Sequence, residues 1–158
     1  MLLLETNRCI LRTFTESDLD DFMIYRNDTT WMKYQTFKNL SKEAYRLRLL
    51  QPLAIDSGMQ LAIADKTTNT LLGDLYVGKQ LNTLSIGYTI NPQYARQGYI
   101  TEILKSYLPL LKETYPQCEI IAMTDKDNIP SKNLLLKLGF VYDGYLEKFA
   151  SEVYLYQP

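Results

Sequence analysis

A chain of 158 residues, 46% apolar and 22% charged, is long enough for one compact domain (residues 1–158) with a real core and short for two. Its net charge of −1, with Lys and Arg scattered, offers no basic field for nucleic acid and no patch for an anionic membrane. The chain has no histidine, which removes Ser-His-Asp chemistry, Cys-His chemistry and most zinc sites, so no metal is expected.

The opening "MLLLETNRCILR" is too short an apolar stretch for a secretory signal, and no run approaches a membrane span, so a cytoplasmic protein is expected. Residues 2–14 read as a strand or strand pair broken at Glu5–Asn7. Thr15 can cap a helix, and Asp18 can reach back to it. Leu19, Phe22 and Met23 follow at helical spacing. An irregular aromatic-rich segment spans 27–39. Ser41 can cap a second helix through about Leu53, ended by a loop around Ser57–Gly58.

The period then changes. Residues 59–65, 71–79 and 83–90 alternate or are β-rich, with "KTTNT" and "QLNT" as turns, giving an antiparallel meander. From Gly98 the period is helical: Ile100, Ile103, Leu104, Tyr107, Leu108 and Leu111 form one stripe, with a kink or early end expected at Pro109. Residues 118–124, apolar on both faces, read as a central strand. Residues 128–140 form a short helix, with Pro130 in its first turn and Gly139 at its left-handed exit. Two strands close the chain. Cys9 and Cys118 each fall in a strand and read as buried, reduced thiols. One strand–helix–strand crossover, from 83 to 124, makes those two strands parallel in an otherwise antiparallel α/β sheet.

The stretch "NPQYARQGYITE" (91–102) sits where a strand hands over to a helix. A helix start leaves about four N–H groups without partners and carries roughly half a positive charge, which suits a phosphate. Gly98 lets backbone approach closely and Arg96 adds a cation, so a pyrophosphate is a natural ligand. A simple N-cap turn is the other reading.

The order of elements, "NRCILRTFTESDLDDF", "IGYTINPQYARQGYITE" and "DKDNIPSKNLLLKLGF" together resemble the GNAT superfamily of acyl-CoA N-acyltransferases, in particular its branch of ribosomal-protein N-terminal acetyltransferases. The resemblance covers essentially the whole chain. It implies a mixed, mostly antiparallel sheet with helices on both faces, and acetyl-CoA as co-substrate. It also implies that the pyrophosphate is held by a turn written [Q/R]-x-x-G-x-[G/A]. Ala95 and Ile100 depart from that pattern, whereas Arg96, Gln97, Gly98, Tyr99, Thr101 and Glu102 fit the branch. The family splays its strands here so that the pantetheine arm inserts between them, which implies main-chain contacts near Tyr88 and Ile90. Asn128 and Ser131 match the branch's N-x-x-S. Asn128 would bond the pantetheine arm and Ser131 would lie near the sulfur, although both residues also suit helix caps. Lys132 would approach a phosphate of coenzyme A or stand as a solvated lysine.

Acyl transfer needs a neutral amine, a donor for the oxyanion such as a main-chain N–H of strand 83–90, and an acid for the leaving thiolate. Relatives often carry a tyrosine on the last helix as that acid, where this chain has Leu135; Ser131 is the expected substitute. Relatives often carry a glutamate before "IGY", where this chain has Ser85. Asp74, Asp28 and Glu147 are the carboxylates considered for a base, and none is assigned. Tyr25, Trp31, Tyr34 and Phe37 are expected to form an aromatic wall for the acceptor, a small amine or a protein N-terminus, or else to pack the core. Exposed β edges near the C-terminus make a homodimer an expectation. Two other classes stay open: a catalytically degenerate acyl-CoA-binding module, and a dinucleotide enzyme using the same turn.

Overall fold

The polar break after Glu5 folds the N-terminal apolar run back on itself, so β1 (Leu2–Glu5) and β2 (Cys9–Arg12) pair antiparallel. The computed structural model describes all of residues 1–158. The Asp18 carboxylate accepts from the Thr15 N–H and hydroxyl at 2.8 and 3.1 Å, and a 3-10 turn leads into α1 (Leu19–Arg26). Ser41 Oγ accepts from the Ala44 N–H at 3.1 Å and starts α2 (Lys42–Leu49). This helix stops short of Leu53, because Pro52 drives the residue before it out of the helical region.

The meander forms as read: β3 (Met59–Asp65), β4 (Leu71–Gln80) and β5 (Thr83–Ile90) pair antiparallel in sequence. The crossover helix α3 (Tyr99–Thr114) returns the chain to β6 (Glu119–Asp125), parallel to β5. Pro109 does not end α3. Its one missing hydrogen bond is outweighed by burial of the whole stripe from Ile100 to Leu111, which locks the helix onto the sheet. Then follow α4 (Ile129–Lys137), Gly139 in the left-handed region at φ 97°, β7 (Phe140–Leu146) and β8 (Ser151–Tyr156).

The eight strands lie in the order β1-β2-β3-β4-β5-β6-β8-β7. Successive residues of β3 serve different cores. Leu61 and Ile63 pack with α3 on one face, and Ala62 packs with α1 and α2 on the other. Helices therefore cover both faces. β6 is interior to the sheet, as expected, but only one of its faces is fully covered. Ile120, Ala122 and Thr124 are buried, while Met123 is 43% exposed. Cys9 and Cys118 are buried free thiols, and burial pushes Cys9 up to about 11.

One irregularity positions everything that follows. The β5–β6 ladder has rungs only from Thr83–Glu119 to Ile86–Ala122. Beyond them β5 stays paired with β4 through Ile90, and β6 pairs with β8. The sheet is thus split between its two parallel strands.

Candidate active site

Asn91 donates its N–H to the Leu72 carbonyl on β4 at 2.9 Å. Main-chain groups alternate sides along a strand, so those of Tyr88 and Ile90 face the split. A cavity of about 620 Å³ lies there, within the range of ligand sites. Its walls are residues 30–35, Tyr88–Ile90, the turn 94–101 and the start of α4. A smaller cavity of about 70 Å³ adjoins it between Ile86–Tyr88 of β5 and Ala122–Asp125 of β6. Both cavities touch Tyr34, Tyr88, Asn128 and Ser131.

The turn is built residue by residue. Asn91 Oδ1 accepts from the Gln93 N–H at 3.0 Å and starts a 3-10 turn with Pro92 in its first position. Arg96 and Gly98 then both take positive φ, 63° and 80°. A Cβ on Gly98 would meet only Arg8 Nη2 at 3.6 Å, so the left-handed backbone, not space, calls for glycine there. For Arg96 the same region costs about 1–3 kcal/mol, a strain typical of ligand clamps. Arg8 braces the turn from outside: its guanidinium lies 4.3 Å from the Tyr99 ring and donates to the Gln97 carbonyl at 3.0 Å.

The result is an open helix start. Glu102, in the first turn of α3, accepts from the Thr6 hydroxyl and from Arg8, whose N–H lies 2.9 Å and whose Nε lies 2.7 Å away. Burial pushes the Glu102 pKa up, but the hydrogen bonds from Thr6 and Arg8 outweigh it and hold it below the ordinary carboxylate value. No acceptor of the protein meets the N–H groups of residues 97–101. Gln97, Gly98, Tyr99 and Thr101 line the cavity. Ile100 lines it too, but its side chain is 8% exposed and belongs to the core, so it offers the site its N–H.

The second helix start is closed. Asn128 Oδ1 caps α4 by accepting from the Ser131 N–H at 3.4 Å, leaving its amide NH₂ free. Ser131 Oγ lies 2.9 Å from the Tyr88 hydroxyl, which also reaches the Ser131 carbonyl at 3.2 Å. Burial raises the Tyr88 phenol to about 12, against a smaller lowering effect from Ser131. Lys132 pairs with Glu152 at 3.0 Å and donates to the Lys126 carbonyl, and it does not line the cavity. The rise along α4 turns position 132 toward β8.

The expected aromatic wall divides. Trp31 and Tyr34 line the cavity and strap both lips of the split: the indole N–H donates to the Ile90 carbonyl at 2.8 Å, and the Tyr34 hydroxyl to the Asp127 carbonyl at 3.3 Å. Tyr25 and Phe37 pack instead around Phe22 and Tyr45. None of the three carboxylates considered for a base lines the cavity. Asp28 caps the Trp31 N–H, and Glu147 is in a 3-10 turn before β8. Asp74 is fully buried, paired with Arg26 and bonded by Tyr25 and Gln60. Breaking such a pair costs about 3–5 kcal/mol, so Asp74 is structural. Burial, with the Asp74 charge second, raises Tyr25 well above the usual phenol value.

Three long-range contacts escape sequence reasoning: the Arg26–Asp74 pair, the strap, and the Tyr88–Ser131 pair. Only the last left a trace. Tyr88 alternates with Ile86 and Ile90, which puts its side chain on the sheet face that carries the crossover helix.

A profile of the acetyltransferase (GNAT) domain family matches residues 8–141. The chain is 28% identical over 155 residues to an uncharacterized N-acetyltransferase, YoaA, of Bacillus subtilis strain 168, covering 93% of this chain and 87% of that protein. The fold is similar to a GNAT-family acetyltransferase from Bacillus anthracis (TM-score 0.83, 24% identity, 99% of this chain and 96% of that one). It is also similar to RimL, a ribosomal L7/L12 alpha-N-protein acetyltransferase solved with coenzyme A (TM-score 0.77, 16% identity, 98% of this chain and 97% of that one).

Proposed function

We propose, from the premise that this chain belongs to the acetyltransferase (GNAT) family, that it acetylates a weakly basic primary amine, a protein N-terminus or a small molecule, through the residues lining the split sheet. The protein is an acyl-CoA-dependent N-acetyltransferase, and acetyl-CoA supplies the acetyl group as an activated thioester. One observation carries the site assignment: the N–H groups of residues 97–101 meet no acceptor of the protein, at the positive end of α3, in the wall of a cavity of about 620 Å³.

In this reading Gln97, Gly98, Tyr99, Ile100 and Thr101 present main-chain N–H groups to the pyrophosphate, and Arg96 adds its charge. The unpaired main chain of Tyr88 and Ile90 receives the pantetheine arm as a short extra strand. Trp31 already occupies one lone pair of the Ile90 carbonyl, which leaves the second free. The free amide of Asn128 donates to the same arm. Ser131 donates its hydroxyl proton toward the leaving sulfur. A main-chain N–H of β5 facing the split serves the developing oxyanion.

The acceptor class follows from the groups near the cavity. Asp28, Asp74 and Glu147 lie away from it, and the carboxylates that do line the two cavities are an exposed Asp127 and an Asp125 that accepts from the Asp127 N–H, so the amine does best to arrive neutral. An α-amino group, with a pKa of about 7.7–8.0, is neutral at pH 7 far more often than a lysine amine at about 10.4. The test is release of free thiol from acetyl-CoA in the presence of peptides with free N-termini and small amines of graded basicity. Acceptor-dependent release, strongest for the weakly basic amines, is expected. Coenzyme A binding with no release for any amine would leave a domain that holds the cofactor without turning it over.

A further inference from the structure

The Ser131 hydroxyl has one partner in the protein, and that partner is the phenol of Tyr88, 43 residues away on β5. A serine in the first turn of a helix commonly folds its hydroxyl back onto the carbonyl four residues before, or caps a neighbouring N–H. Ser131 does neither. Its N–H is served by Asn128, and its Oγ points to the side of the split where both cavities meet.

We propose that Tyr88 is the positioning residue for Ser131: the phenol donates to Ser131 Oγ, so that the serine's own proton is directed into the split, onto the sulfur of coenzyme A. The inference rests on the reading of the split as the cofactor's site. Two geometric facts carry it. The phenol has one proton and two acceptors on Ser131, Oγ at 2.9 Å and the main-chain carbonyl at 3.2 Å; donated to the nearer oxygen, it leaves the serine's own proton free. The Tyr88 ring stands on the same face of β5 as Ile86 and Ile90 and packs with them against the core, so its position is set by the strand and not by α4.

A phenol that keeps its proton at neutral pH acts here as a fixed donor and not as a proton source. The transfer balances without one. The amine nitrogen forms the bond to carbon, the carbon–sulfur bond breaks with its pair on sulfur, and the proton shed by nitrogen to water matches the one the sulfur finally takes. The hydroxyl pair stabilises the sulfur while it carries charge.

The test reads the cofactor's thiol, not turnover. Coenzyme A is bound to the intact protein, and its thiolate absorbance is titrated against pH, with desulfo-coenzyme A as blank. Hydrogen bonding to the charged form favours it, so the bound thiol should titrate about one unit below the thiol free in solution. Tyr88→Phe and Ser131→Ala should each return at least half of that shift, and the double variant should return no more than Ser131→Ala alone. The other charged residues on the two cavities, Lys33, Arg96, Asp125 and Asp127, are common to all variants and cancel in the comparison. Calorimetry at neutral pH, where the thiol is protonated, should give the same coenzyme A affinity for Tyr88→Phe within about 3-fold, since the substitution keeps the main-chain contacts of residue 88 and the shift weighs on affinity only where the thiolate forms. A wild-type protein that does not bind coenzyme A overturns both this inference and the site on which it rests. Binding with an unshifted thiol, or a shift that survives Tyr88→Phe, overturns the role of Tyr88 alone.

Discussion

Two helices begin on opposite walls of the same cavity, and they begin differently. α4 starts with its N–H groups answered: Asn128 turns its side-chain carbonyl onto Ser131. α3 starts with a left-handed glycine, no side-chain acceptor, and a glutamate in its first turn that bonds the β1–β2 hairpin. Capping is worth about 1 kcal/mol to a helix. The chain supplies it at one start and leaves it out at the other. The closed start holds side chains in place, and the open one presents bare backbone.

That contrast can be broken from its open side first. Gly98→Glu puts bulk and a negative charge where the diphosphate is to sit, and coenzyme A affinity measured by calorimetry should fall by at least about 100-fold. Gly98→Asn separates charge from backbone strain, because asparagine tolerates the left-handed region; its affinity should stay within about 3-fold of wild type. Equal losses in the two variants would show that the turn's shape, not its N–H groups, does the holding. On the closed side, Asn128→Ala removes a cap and should lower stability by about 1 kcal/mol, with a fall of about 2–4 °C in the melting temperature. Because the free amide of Asn128 faces the cavity, coenzyme A should also bind a few-fold more weakly, by about 0.5–1.5 kcal/mol. Loss of stability with unchanged affinity would reduce Asn128 to a cap.

The smallest effect concerns Glu102. Its pKa is lowered in the folded protein, so its contribution is present above the unfolded value of about 4.3 and is lost as pH falls through the lower folded value. Wild type and Glu102→Gln should therefore differ in melting temperature at neutral pH and converge in acid. A difference that persists at pH 2 would mean that the contact matters for shape and not for charge.

Much of this site was legible because it is local. The change of period at Gly98, the apolar stripe of α3 and the asparagine three residues before Ser131 each lie within one or two turns of chain, where spacing and backbone preference decide. What stayed hidden is long-range and polar. Arg26 and Asp74 look like surface charges on a helix and a strand, and only the packed fold makes them a buried pair. Lys132 looked available until β8 brought Glu152 beside it. Of the kink or early end that Pro109 suggested, the early end does not occur, since a rule about isolated helices yields to a buried face. Pro52 held a stop signal that a helix read through Leu53 passed over, and α2 ends before it.

The indole that straps the split belongs to the only tryptophan in the chain, and it is hydrogen-bonded to the Ile90 carbonyl at the edge of the split. The protein thus holds its own optical reporter at the mouth of its cleft. Excited beyond the absorption of the thirteen tyrosines, the emission comes from a single place, so any change in its colour or intensity as ligand is added reads events at that threshold without a label.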